Sequence, residues 1–183
     1  FVFRSFRDPA GFCFLYNSRI LRVVHMEFIA NLNDVLDLSC VQELLSSKQL
    51  ISTRILSDSE RRELEQESAY REKFEYGPEA LVLEHERLFF PSFPNEWCAL
   101  MLHDAGLLTL QIAASLLKAG FGLKDATPLN VLFRGSKAVF VDILSIERRR
   151  QTDPIWLPNS QFIRTFFFPL LLNRKPGIPL ADL

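Results

Sequence analysis

Cysteine and histidine are scarce in this sequence, with three of each among 183 residues. An odd number of widely separated cysteines fits neither a disulfide framework nor paired metal ligands. The histidines show no i,i+3 or i,i+4 spacing, so a structural zinc site is not expected. These scarcities favour a protein of a reducing compartment, and we expect a cytoplasmic location.

An excess of charge of one sign is also missing, because 21 basic and 22 acidic residues leave a net charge of -1 at pH 7. Such a balance gives no electrostatic footprint for nucleic acid or for an anionic membrane. A long hydrophobic run is missing as well: the most apolar stretch near the end, 166–172, is short and interrupted by Pro169. We expect a soluble chain with neither nucleic acid nor membrane as a partner.

Glycine-rich runs are absent, since the seven glycines form no G-x-G-x-x-G or similar pattern. A methyltransferase needs a glycine-rich turn between strand and helix for its cofactor. This chain alone therefore does not supply a methyltransferase site. Hydrophobic residues, at 48%, are numerous enough to bury a core in one domain or in two lobes.

The first half of the chain reads as strands interleaved with short helices. The predicted elements are a hairpin of strands 11–16 and 19–24 around Asn17-Ser18, two helices within 28–48, a strand at 49–56, a charge-rich helix or connector from Ser57 to Glu75, and a strand within 80–90. Ser57 and Glu60 form the capping signature of the charge-rich segment. Pro91 to Pro94 then mark the best candidate for a boundary.

The second half is predicted to be mainly helical. Asn95 is the predicted cap of a helix that runs to about Ala119 and is apolar nearly all round, as a central buried helix is. A polar loop follows, then a short hairpin that ends at Asp142. The segment 147–150 is expected to be a solvated helix start or turn rather than an anion site. Asn159 is the predicted cap of a last helix, bent or ended at Pro169.

Three polar residues of this half have the order and spacing of a phosphoryl-transfer site. Such chemistry needs a carboxylate at the nucleophile, and an amide and a second carboxylate that hold magnesium against nucleotide phosphates. Asp125 and Asn130 are five positions apart, as in a kinase catalytic loop, and Asp142 follows at the end of an apolar strand. We expect their side chains to converge in the folded chain.

At these residues the sequence resembles the protein-kinase-like superfamily, in particular the bacterial kinases similar to aminoglycoside phosphotransferases. The segment 122–133 looks like the catalytic loop, and Val141-Asp142-Ile143-Leu144 stands where the metal-binding Asp-Phe-Gly triplet would be. More narrowly, the segments 91–98, 123–126 and 140–147 resemble the leading domain of bacterial proteins described as nodulation-related or as class I methyltransferases.

The resemblance implies an α+β, two-lobed fold: a reduced antiparallel N-lobe with helices over residues 1–90, and a helical C-lobe over 91–183 with its catalytic-loop-like segment at 122–147. It also implies Mg²⁺ and ATP as cofactors and a small molecule or a protein as acceptor. Asp125 would be the catalytic carboxylate and Lys124 a catalytic cation, while Asn130 and Asp142 would bind the metal and the nucleotide. Arg22 would replace the lysine that holds the phosphates.

The sequence departs from the kinase pattern at several positions. Leu123 stands where the loop usually has histidine, Lys124 replaces the usual arginine or glycine, and Gly11 is alone where a glycine-rich loop would be. The alternatives therefore stay open between an active phosphotransferase and a degenerate kinase-like module that binds nucleotide or a partner without turnover. Because the chain starts at Phe1, we expect a piece of a longer protein, with any S-adenosylmethionine (SAM) domain downstream of Leu183.

Each of these residues also has a structural interpretation. Asp125 and Asn130 are ordinary turn residues when taken singly. Lys124 is equally well a solvated loop residue. Asp142 would be costly to bury without a metal or a cation beside it. The aromatic residues Phe89, Phe90, Phe93 and Trp97 are more typical of a core than of an adenine slot.

Overall fold

The computed structural model describes residues 9–66, 80–150, 154–174 and residue 180. Its chain divides into two units, one comprising Phe1–Asn33 with Ser52–Arg87 and the other Asp34–Ile51 with Leu88–Leu183. The second unit thus contains a segment, Asp34–Ile51, that the predicted boundary at residues 90 and 91 assigns to the first lobe. Hydrogen bonds from Ile51 N to Phe140 O and from Phe140 N to Gln49 O, both 2.8 Å, hold the end of that segment in the second unit.

The first unit is built on a four-stranded antiparallel sheet of order β1-β2-β4-β3. The strands are β1 (Gly11–Tyr16), β2 (Arg19–Val24), β3 (Thr53–Ile55) and β4 (Leu81–His85). The predicted hairpin is confirmed: Asn17 and Ser18 both have positive φ, at 45° and 66°, which is the backbone that a two-residue hairpin turn requires. The predicted strand at 49–56 is shorter than expected.

The core of the first unit lies on one face of this sheet, because every second side chain of a strand points to the same face. The buried cluster consists of Phe12, Phe14, Leu21, Val23, Leu56, Leu64, Ala80 and Val82. Leu64 belongs to helix α3 (Asp58–Gln66), which begins after the predicted capping box: Ser57 N donates to Glu60 Oε2 at 2.9 Å, and Glu60 N to Ser57 Oγ at 3.4 Å. The predicted continuation of this helix to Glu75 lies outside the described residues.

Two short helices, α1 (Met26–Leu36) and α2 (Ser39–Ser46), occupy the segment that was predicted to contain them. The break falls at residues 37 and 38, where Leu38 has extended backbone at the N-cap of α2. Beyond α2, Leu50 forms a parallel bridge with Phe140 instead of joining the first sheet. This non-local pairing is why the third strand of the first unit begins only at Thr53.

The long helix of the second unit, α4 (Ala99–Lys118), differs from the prediction at its start and on one side. Asn95 is not its cap: Pro94–Glu96 form a 3₁₀ turn, and Cys98 occupies the N-cap. The helix buries a stripe that packs against β-strands and the C-terminal helices, but Leu100 and Leu117 on its other side are exposed. By length and composition α4 could cross a membrane, a test that a core helix of a soluble protein also passes.

Four short strands follow α4 and form two antiparallel pairs. Strands β5 (Phe121–Leu123) and β8 (Ile146–Arg148) pair with each other, as do β6 (Val131–Arg134) and β7 (Lys137–Phe140). The predicted hairpin before Asp142 is confirmed. The expected helix start or turn at 147–150 is wrong, because Glu147 and Arg148 belong to β8 and pair with β5. The described chain is thus an α+β protein with small antiparallel sheets, as predicted.

The last helical segment begins with α5 (Asn159–Phe162), continues through a π-helical turn (Ile163–Phe167) and ends as α6 (Phe168–Arg174). Pro158, not the predicted Asn159, occupies the N-cap, and Pro169 does not end the segment. The π-helical turn ends two positions before Pro169, which has no N–H to offer to the preceding turn. Phe166 of the π turn is buried and lies against Gly106 of α4.

Candidate functional site

Two main-chain hydrogen bonds align the two loops that carry the predicted site residues. Lys124 N donates to Ser145 O at 2.7 Å, and Val141 N donates to Asn130 O at 2.9 Å. Because these bonds join 124 to 145 and 130 to 141, the loop 124–130 and the segment 141–145 run beside each other. Asp125 lies in the first of these segments and Asp142 in the second. The β5–β8 and β6–β7 pairs extend this alignment on both sides.

Asn130 is the last residue of a 3₁₀ turn (Pro128–Asn130). Pro128 suits the start of this turn because its missing N–H would have no partner within the turn. Its backbone N donates to Thr127 O at 3.2 Å, and its residue is half-buried. The side-chain nitrogen Nδ2 is buried and has no hydrogen-bond partner among the described residues. An unsatisfied buried amide lowers the stability of the fold by roughly 1–3 kcal/mol. A hydrogen-bond acceptor at this atom, such as a phosphate oxygen, would remove that cost.

Asp142 is half-buried at the N-cap of another 3₁₀ turn (Ile143–Ser145). Ser145, which is fully buried, fixes this backbone because its N and Oγ both donate to Asp142 O, at 3.1 and 2.8 Å. The main chain of Ser145 also accepts the bond from Lys124 N. One buried serine thus links both loops of the candidate site.

Asp125 is exposed, and its carboxylate is held by a residue from the last helical segment. Gln161 Nε2 donates to Asp125 Oδ1 at 2.8 Å, while Gln161 Oε1 accepts from Ala126 N at 3.0 Å. This one amide side chain therefore orients the carboxylate and satisfies a buried backbone N–H of the same loop. Gln161 was missed by sequence reasoning, because nothing in the loop motif points to a partner 36 positions away.

The two predicted cations differ in their surroundings. Lys124 is half-buried at the start of the loop. Arg22 lies in the first unit on β2, is 9% exposed, and donates from Nε to Cys13 Sγ at 3.5 Å. Burial and then the charge of Arg22 lower the pKa of His85, on the neighbouring strand β4, to about 3.

Of the four aromatic residues interpreted as core, only Trp97 is buried. Its ring meets that of Phe133 edge to face at 5.1 Å, and its Nε1 donates to Ser92 Oγ at 3.1 Å. Phe89, Phe90 and Phe93 are 87%, 83% and 53% exposed, so the core interpretation is wrong for them. Pro91 directly follows Phe90 and Pro94 directly follows Phe93, and neither proline has a main-chain N–H to donate within a regular element there.

The chain is similar to nodulation protein NoeA of Rhizobium meliloti (strain 1021). The two sequences are 36% identical over 191 aligned residues, which cover 97% of this chain and 37% of NoeA. The chain thus spans little more than a third of the length of this relative. The predicted resemblance to nodulation-related bacterial proteins is confirmed at this level, and no family model matches the chain.

The residues of the site suit a magnesium–nucleotide better than a metal ion alone. Among residues 9–66, 80–150 and 154–174, no three His, Cys, Asp or Glu side chains group closely enough to hold a metal. Asn130 and Asp142 offer an amide and one carboxylate, so phosphate oxygens and waters would complete a magnesium shell. The buried Nδ2 of Asn130, for which the described residues supply no acceptor, could donate to a phosphate oxygen only after a shift of the side chain.

Proposed function

We propose that the chain is a protein-kinase-like domain that binds a magnesium–nucleotide at the loop segment 122–147. The observation that carries this proposal is the pair of main-chain bonds, Lys124 N to Ser145 O and Val141 N to Asn130 O. They hold the two loops side by side in the order that a kinase catalytic loop and its metal-binding segment require. The antiparallel sheet of the first unit and the largely helical second unit agree with the two lobes of that fold.

The proposed roles follow from the chemistry of each side chain. Asn130 and Asp142 would hold Mg²⁺, which supplies neutralising charge to the nucleotide phosphates. Asp125, exposed and oriented by Gln161, would accept the proton of the acceptor hydroxyl. Lys124 would contribute positive charge toward the phosphates.

A degenerate module, which binds nucleotide or a partner without turnover, is the second candidate. The bond from Gln161 Nε2 to Asp125 Oδ1 favours it, because this bond occupies one oxygen of the proposed base. The burial of Arg22 beside Cys13 favours it too, since a cation held in this way has less freedom to follow a phosphate. In this case Asn130 and Asp142 would still bind the nucleotide.

The remaining proposals concern the whole protein. Since the chain matches 37% of NoeA, we place it as one part of a longer bacterial protein that acts in the cytoplasm. A SAM-dependent methyltransferase domain would follow it. The acceptor would be a small molecule or a protein, and neither nucleic acid nor a membrane would be a partner, in keeping with the net charge of -1.

Calorimetric titration with ATP and Mg²⁺ tests the proposal. Asp142→Asn should weaken magnesium-dependent binding, whereas Asp125→Ala should leave binding nearly unchanged and remove phosphotransfer or slow ATP hydrolysis. Asp104→Asn, which removes one exposed carboxylate from α4, is the matched control and should change neither quantity. Binding without turnover in the unmodified chain would select the degenerate module. No binding at millimolar ATP and magnesium would refute nucleotide binding and leave only a kinase-like module that binds a partner.

A further inference from the structure

A cleft lies beside the start of the candidate catalytic loop. It has a volume of about 360 Å³ and is lined by strands β5 and β8 and by the segment 155–158. Leu123 forms part of its wall, and Asp125 is two residues farther along the chain, so their Cα atoms are at most about 7 Å apart. The proposed base is therefore close to the wall of the cleft along the chain.

The cleft has a basic lining. Among the described residues that line it, Arg148, Arg149 and Arg150 are basic and Glu147 is acidic. Arg148 is partly neutralised, since its Nη2 pairs with Asp34 Oδ2 at 2.8 Å and its guanidinium lies 4.9 Å from the centre of the Phe121 ring. Even so, arginines outnumber acids among the described lining residues, which favours an anion over a cation.

Arg149 is held in place over β5. A Cβ atom at Gly122 would lie 2.9 Å from Arg149 Cδ, so only glycine leaves room for the arginine stem to cross the strand. The other end of this side chain donates from Nη2 to Ile155 O at 3.1 Å. A guanidinium fixed in this way loses little conformational entropy when it binds a carboxylate or a phosphate.

The cleft also offers an unsatisfied donor and an apolar rim. Trp156 lines it, and the buried indole Nε1 has no hydrogen-bond partner in the described part of the chain. Ile155 and Leu157 beside it are 62% and 74% exposed. An acceptor oxygen on a ligand would satisfy Nε1 after a small rotation of the ring, and an apolar ligand body would cover the rim.

We propose that this cleft binds the acceptor of the proposed kinase-like site, and that the acceptor is a small organic anion with an apolar body. The role of this ligand as an acceptor rests on the proposed function, but its chemical class rests on the cleft alone. Arg149 holds the anionic group, Trp156 supplies a hydrogen bond, and the rim contacts the apolar part.

Benzoate is a suitable probe, with uncharged benzyl alcohol and cationic benzylamine as comparisons. Trp156 and Trp97 are the two tryptophans of the chain, so ¹H–¹⁵N spectra resolve two indole N–H signals, which Trp156→Phe assigns. Benzoate should shift the Trp156 signal in a saturable way and leave that of Trp97, whose Nε1 is bonded to Ser92, unchanged. Benzyl alcohol and benzylamine should bind at least about tenfold more weakly.

Arg149→Gln should weaken benzoate binding by about tenfold. Arg150→Gln, which removes an exposed charge of the cleft without touching the packing on Gly122, should weaken it by a smaller factor. Lys118→Gln, at the end of α4, removes the same charge elsewhere and should have no effect. Equal binding of benzylamine, parallel shifts of both indole signals, or an equal effect of Lys118→Gln would each overturn the proposal.

These titrations are performed without ATP or magnesium, so their outcome is separate from that of the calorimetry. If benzoate binds as expected and the magnesium–nucleotide does not, the kinase-like function fails while the ligand class of the cleft stands. If the nucleotide binds and benzoate does not shift Trp156, the cleft assignment fails and the proposed function stands.

Discussion

His85 should make the stability of this chain depend on pH in a window where few other groups titrate. The side chain is 6% exposed at the end of β4, and a hydrogen bond of 2.8 Å joins its Nδ1 to Thr53 Oγ1. Burial, and then the charge of Arg22, lower the pKa of His85 from its ordinary value of 6.5 to about 3. The folded state therefore holds this imidazole neutral.

The sign and size of the effect follow from proton linkage. A histidine whose folded pKa is depressed contributes its full stability above the unfolded value of 6.5, and the contribution is lost as pH falls toward 3. At pH 5 the unfolded chain is protonated at this residue and the folded chain is not, which lowers the free energy of unfolding by about 2 kcal/mol relative to pH 7.5.

The carboxylates with a lowered pKa, Glu60 and Glu84, change the free energy of unfolding mainly below this pH range. Arg54, the main cause, and Ser57 lower the pKa of Glu60 from 4.5 to about 2, so the contribution of Glu60 is lost only below pH 4.5. The hydrogen bond from Arg19 lowers the pKa of Glu84 in the same direction. Between pH 7.5 and 5, a buried neutral histidine is the expected source of the change.

Urea unfolding followed by far-ultraviolet circular dichroism at pH 7.5 and 5.0 measures the effect. The unmodified chain should lose about 2 kcal/mol between the two values, and His85→Gln, which does not titrate, should lose less than about 0.5 kcal/mol. His103→Gln, at an exposed position of α4, should behave like the unmodified chain. An equal loss in the unmodified chain and in His85→Gln would refute the reasoning.

Three further substitutions test the packing of the fold and of the loop. Gly11→Ala would place a Cβ atom 1.9 Å from Val23 O, and urea unfolding should show a loss of roughly 2–4 kcal/mol. Ser57→Ala removes the acceptor of the α3 capping box and should cost about 1 kcal/mol in the same assay. Gln161→Ala leaves the Ala126 N–H without its acceptor, so hydrogen exchange at that amide should accelerate about tenfold or more, corresponding to about 1–2 kcal/mol.

The parts of the fold that sequence reasoning predicted are those with a local physical cause. The β1–β2 turn needs positive φ at two consecutive residues, and Asn17 accepts such a backbone at little cost. The capping box of α3 is likewise set by two residues three positions apart. The hairpin before Asp142 follows from alternation around the turn at Gly135, whose φ is also positive.

The parts that were missed depend on partners distant in sequence. Leu50 reads as strand, but its pairing with Phe140 takes it into another unit than Thr53. Arg148 reads as a solvated charge, yet it belongs to a strand and pairs with Asp34, 114 positions away. Hydrophobic periodicity and strand propensity predict neither pairing, because each depends on which distant residues lie nearby once the chain has folded.

The difference between local causes and distant partners also applies to Leu123, at the start of the candidate site. It stands where a kinase loop usually has histidine, but it is 4% exposed and pairs with Ile146 in the β5–β8 ladder. An apolar side chain here contributes packing and no hydrogen bond, so the loop needs anchors elsewhere. The main chain of Lys124 supplies one through Ser145 O, and Gln161 supplies the other at Asp125 and Ala126. The departure at Leu123 thus changes how the loop is held, and it removes none of the groups that the proposed reaction requires.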